Sequence, residues 1–193
     1  MSLLPRLVSP AGFVLALLLF LFPFVAVSCE APGLGSIEVS YTGADLATGG
    51  DPSVETVGDF GREAGDPVQD NENPPDPGAR LLAILTLLLI FTGLAVSFLP
   101  TARLRLVGAV SAAALAGVML VVTESVAQSN LESSLIETAR QEASAPGEEP
   151  FTLTKSIADD MVEPRVGFWL TLIVLALVLL ANLALAIRAR TRQ

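Results

Sequence analysis

The sequence predicts an all-α transmembrane fold: a four-helix membrane bundle with a small extracytoplasmic cap that contains a two-stranded β element. Three observations lead there. Fifty-two per cent of the 193 residues are hydrophobic, beyond what an ordinary soluble domain carries. Four apolar runs, roughly 11–28, 81–99, 106–123 and 166–187, hold no charged residue and approach the ~20 residues that a bilayer core requires. All twenty acidic residues lie in two segments between those runs, 29–79 and 124–165.

The order of elements follows. Residues 1–10 form an N-terminal segment with Arg6, and 11–28 the first span. The first acidic loop is 29–79, the second span 80–99, and the short link 100–105 holds Arg103 and Arg105. The third span is 106–123, the second acidic loop ends at 165, the fourth span is 166–187, and Arg188, Arg190 and Arg192 close the chain in 188–193. Basic loops stay inside and acidic loops are exported, so both termini and the link are expected in the cytoplasm and both long loops outside it. Phe168 and Trp169 fall at the outer end of the fourth span, where aromatic rings prefer the headgroup level. Arg80 and Arg165 flank the outer ends of the second and fourth spans, placed to reach lipid phosphate in preference to a loop carboxylate. A chain rich in Ala, Leu and Arg and poor in Lys points to a bacterial plasma membrane.

The outer loops hold the rest of the fold. Ile37, Val39 and Tyr41 alternate with polar neighbours, which predicts a strand over 36–42. Residues 43–50 read as a compact turn, and 51–79, rich in Pro, Gly, Asp and Glu, as a flexible acidic tether. Beyond the third span, Val126, Leu131, Leu135, Ile136 and Ala139 repeat at helical spacing, so that helix should continue to about 144, where Pro146 and Gly147 end it. A second strand is expected over 151–157, within the loop 145–165, where Phe151, Leu153 and Ile157 alternate. Lone strands are unstable, so these two are expected to pair.

The chemistry-bearing residues are few. There is no histidine, hence neither the commonest general base nor the commonest metal ligand. The single cysteine, Cys29, excludes an internal disulfide and a two-cysteine redox motif. No catalytic, cofactor or metal site is expected, and the carboxylates do not fall at the spacing of a calcium loop. Scattered arginines form no nucleic-acid patch. The spans hold no ionisable residue, which argues against a pump or ion carrier. Their polar groups include Thr86, Thr92, Ser111 and Asn182, and Asn182 is expected near the inner headgroups. Gly108, Ala112 and Ala116 are spaced by four, as are Ala109, Ala113 and Gly117. Such small residues allow close helix packing, either within the bundle or in an oligomer through the third span. Ser28-Cys29 after an apolar run is also a candidate lipoprotein cleavage site, with lipidation at Cys29 and three spans remaining.

The stretch from Phe22-Pro23-Phe24 to Val27-Ser28-Cys29, followed by Thr42-Gly43-Ala44-Asp45-Leu46-Ala47-Thr48-Gly49, resembles an element of uncharacterised bacterial four-span membrane proteins. The Gly167-Phe168-Trp169-Leu170 opening of the last span is similar to theirs. The resemblance implies a shared architecture and brings no activity with it. The layout is similar to claudin-like proteins only in loop order, because the paired loop cysteines of that group are absent.

These readings converge on a non-enzymatic accessory or scaffold subunit. Its neighbours would be the lipid bilayer and another membrane or envelope protein, with Tyr41, Asp45 and Thr48 as candidate contact residues. The alternative is a passive channel or small-solute carrier lined by Thr86, Thr92, Ser111 and Asn182.

Overall fold

The structure, a computed structural model, describes residues 4–31, 35–58, 77–143 and 161–190. In chain order its elements are α1 (Leu4–Leu19), β1 (Pro23–Ala31), β2 (Gly35–Thr42), α2 (Gly43–Thr48), β3 (Ser53–Gly58), α3 (Pro77–Val96), α4 (Ala102–Ala143), β4 (Val162–Pro164) and α5 (Val166–Arg190). Three helical stretches, 77–96, 104–137 and 166–188, are long and apolar enough to cross a membrane. The first helix offers a shorter apolar stretch, Ser9–Leu19.

Helices α3 and α4 turn stripes of small or compact residues inward. In α3 the stripe is Ala79, Ala83, Thr86, Ile90 and Gly93; in α4 it includes Ala109, Ala113, Ala116 and Leu120. The opposite faces expose Leu81, Leu88 and Phe91 in α3, and Val107, Leu115 and Val118 in α4. Burying alanine while exposing leucine inverts the pattern of a water-soluble core. It suits hydrocarbon surroundings, where association depends on close backbone approach. The neighbours are α4 with α3 and α5, and α1 with α5 and α3. Phe13, Ala16, Ile90, Ala116, Leu175 and Val178 fill the space between them.

Two sequence expectations need correction here. The first apolar run is helical only to Leu19, and residues expected to complete its span form strand β1 from Pro23 onward. Proline lacks an N–H and disfavours a helical backbone at the residue before it. The helix therefore tightens at its end, with Leu21 N–H donating to Leu18 O and Phe22 N–H to Leu19 O. Beyond Pro23, the β-branched Val25 and Val27 favour an extended chain.

The second correction concerns the sheet. It has four antiparallel strands in the order β3-β2-β1-β4, where two were expected. Strand β2 pairs with β1 (Val39↔Val27, Ile37↔Cys29) and, on its other side, with β3 (Ser40↔Ser53, Glu38↔Glu55). Both sides of β2 are thus filled by near neighbours in sequence, whose closure costs less chain entropy than a partner more than a hundred residues away. The expected partner, 151–157, lies outside the described residues, as does most of the expected tether; the tether's first part, Ser53–Gly58, is β3.

Strand β1 is the junction of the molecule. It follows α1 after a three-residue turn and pairs with β4, Val25 opposite Pro164 and Val27 opposite Val162. Phe24, Val25, Leu46, Ala47, Val162 and Phe168 belong to the same buried cluster as Phe13 and Leu175. The cap and the helices therefore share one core. The sheet lies where α1 ends and α5 begins, against α4, while α2 packs on α3.

Candidate functional site: the cap and the polar groups beneath it

The cap is ordered by polar contacts that its own sequence supplies. Thr42 and Asp45 form a reciprocal capping box at the start of α2. Asp45 N–H donates to Thr42 Oγ1 (3.0 Å), while Asp45 Oδ2 accepts from Thr42 N–H (2.9 Å) and Thr42 Oγ1 (2.6 Å). At the other end Gly49 adopts φ 75°, a left-handed conformation that glycine takes without strain, and the N–H groups of Gly49 and Gly50 both reach Asp45 O. Gly43 lies so close to Phe24 and Phe20 that a side chain there would strike both rings. Those rings meet edge-on, centroids 5.0 Å apart.

The sheet is tied across strands in the same way. Ser40 and Ser53 hydroxyls lie 2.8 Å apart. Arg165, between β4 and α5, donates its N–H to Phe24 O, and its guanidinium pairs with Glu38 at 2.7 Å. The headgroup reading of Arg165 is thereby replaced by a loop carboxylate. Its Nε is buried and meets no acceptor among the described residues. Arg80 lies beside Gly49.

The expected contact residues take more structural places. Asp45 is occupied by its capping box, and Thr48 Oγ1, although exposed, donates to Ala44 O (2.9 Å). Tyr41 is half-buried against the core cluster. Burial pushes its phenol above the usual range, and the Asp45 and Asp51 carboxylates add to that. Cys29 stands in β1 opposite Ile37.

The helical positions divide between inside and outside. Ala112 and Ala116 are buried, and Gly108 sits against Val96 of α3, so that part of the small-residue series serves packing within this chain. Gly117, by contrast, has open space where a Cβ would be. Thr92 and Ser111 lie on exposed faces, while Thr86 and Asn182 are buried, so the four expected channel-lining residues do not share one path. Asn182 is only 3% exposed and donates to Val178 O of its own helix (2.8 Å). Thr86, Thr92 and Thr171 likewise donate to carbonyls four residues back.

Buried polar groups also meet between helices. Ser9 and Ser97 meet at 2.9 Å between α1 and α3. Thr123 approaches Thr86 at 3.4 Å, and the adjacent Glu124, 6% exposed, accepts from Gln128 Nε2 at 3.2 Å. By sequence Glu124 falls at the start of the outer acidic segment 124–165. Its place on the buried stripe is legible from Ala116 and Leu120, which precede it by eight and four residues. Along α3 the buried Ile90 falls between Thr86 and Ser97, and along α5 the buried Leu175 falls between Thr171 and Asn182.

Among the described residues, no group of three or more His, Cys, Asp or Glu side chains converges as a metal site would. The arrangement defines a class: a membrane-type protein in which three long apolar helices support a small antiparallel sheet. No protein-family model matches the chain, and no curated protein matches it.

Proposed function

We propose that this chain is a non-enzymatic integral membrane protein of four spans, an accessory or scaffold subunit that meets a partner protein through its cap. The supporting observation is the single core that runs from the helices into the sheet. It gives the cap a rigid base, as a docking platform needs. In this reading α1 is the fourth span. It packs on α3 and α5, and its apolar stretch covers one flank of the group.

The basic link and termini lie in the cytoplasm of a bacterial cell, and the sheet and acidic segments face outward. The first helix stays attached. Cleavage before Cys29 would remove the buried Phe24, Val25 and Ala26, leave β4 without its partner residues Val25–Val27, and leave β2 only Cys29–Ala31 to pair with on that side.

Co-purification from native membranes in mild detergent, with mass spectrometry of partners and of the intact chain, tests the proposal. A stoichiometric partner and a full-length mass are expected. A chain recovered alone would remove the accessory reading, and a product beginning at a lipidated Cys29 would remove the four-span one.

A further inference from the structure

Strand β3 is an edge of the sheet, with β2 on one side and no strand on the other among the described residues. Successive residues of a strand point to opposite faces, and an edge strand over a core normally covers one of them. Here Ser53, Val54, Glu55 and Thr56 are all exposed, Val54 at 40%. Both faces of β3 are thus exposed over residues 53–56, and no described strand covers its outer edge. An unpaired edge presents N–H and C=O groups to which an extended segment can add as a further strand.

Charge selects the occupant. Glu55 stands directly opposite Glu38, an arrangement that like charges disfavour. Arg165 relieves Glu38, whereas Glu55 has no ion pair among the described residues. The exposed Asp51 lies just ahead, and the segment 29–79 holds eleven acids against Arg62 alone. A second copy adding through its own β3 would bring another Glu55 into the same row, which this charge opposes. A strand with a cation opposite Glu55 would instead complete the pairing.

We propose that the outer edge of β3 docks an extended segment of another protein, with a lysine or arginine opposite Glu55. This deepens the accessory-subunit reading and rests on it.

The test uses the full chain in nanodiscs of neutral lipid. The probes are an acetylated peptide of alternating lysine and valine, its glutamate–valine counterpart, and the lysine peptide with alternate amides N-methylated. The lysine peptide is expected to bind and to slow amide exchange over residues 53–58. Glu55→Lys should weaken it roughly tenfold and admit the glutamate peptide instead. Glu55→Gln, which is milder for folding, should weaken it by roughly threefold. N-methylation should abolish binding, because the added strand then lacks its donors. No binding, binding without protection of 53–58, or binding indifferent to both Glu55 variants would overturn the proposal.

A photoreactive residue in place of Thr56, used in native membranes, names the occupant. Cross-links to a basic segment of a partner are expected, and cross-links to a second copy or to residues 144–160 of the same chain would overturn the proposal. Stoichiometric co-purification that survives Glu55→Lys removes the β3 proposal and leaves the accessory reading standing. If the wild-type chain has no stoichiometric partner, both fall.

Discussion

The helical layer and the cap are held together by opposite means. Between the helices, contact depends on small side chains such as Ala113 and Ala116, and most hydroxyls turn back to their own helix carbonyls. In the cap, polar groups reach from one element to another: Thr42 with Asp45, Ser40 with Ser53, Arg165 with Glu38. A layer in lipid gains little from side-chain polarity and is specified by size. A small sheet in water must fix its register, and directional bonds do that. The helical layer should therefore respond to changes in volume and the cap to changes in bonding.

The largest expected effect falls where the regions meet. Phe24 is 2% exposed and packs against Phe20, so Phe24→Ala should cost about 3–5 kcal/mol, the usual range for a buried phenylalanine. Thermal unfolding in detergent would show it, and an unchanged midpoint would refute the shared core. Asp45→Ala removes the capping box and should cost about 1–2 kcal/mol. Faster amide exchange confined to residues 43–50 is the signature, and a change spread through the helices would contradict the local role.

Tyr41 sharpens the comparison through pH. Its phenol is held above the ordinary value by burial first, then by Asp45 and Asp51. Its stabilising contribution is fully present below the unfolded value near 10 and is lost as pH rises through the higher folded value. The cap should loosen in that alkaline range, and Tyr41→Phe should remove this part of the dependence. Arg165→Gln should cost the sheet less than about 1 kcal/mol, because Arg165 and Glu38 are both part-exposed, and the loss should shrink in high salt. At the small end, Leu88→Ala on the outward face of α3 should fall within about 0.5 kcal/mol in detergent, whereas Ala83→Leu on the inward face should destabilise by about 1–3 kcal/mol. Equal effects at these two positions would break the comparison.

Legibility in the sequence follows the same division. Uncharged apolar runs announce helices for lipid, and alternation at Ile37, Val39 and Tyr41 announces a strand. Strand β1 was hidden because Phe24, Val25, Ala26 and Val27 extend an apolar run; hydropathy alone does not separate a buried strand from the end of a span. Pro23 was the available signal. The pairing of β1 with β4 was not legible at all, since three residues give no periodicity. In the candidate site, Asp45 and Thr42 show the spacing of a capping box, which reads as structure before it reads as a contact surface. That β3 stands at the edge of the described strands emerges only from the strand order, and its Pro-, Gly- and acid-rich flanks read as tether.

The pairing of Val25–Val27 with Val162–Pro164 joins the beginning of the chain to its last helix. Strand β1, inside the sheet, is made early in synthesis, and its outer partner β4 arrives some 135 residues later. Until then one side of β1 has no β4 to pair with. The sheet thus works as a clasp whose two halves can meet only after α3 and α4, the long helices between them, have been made.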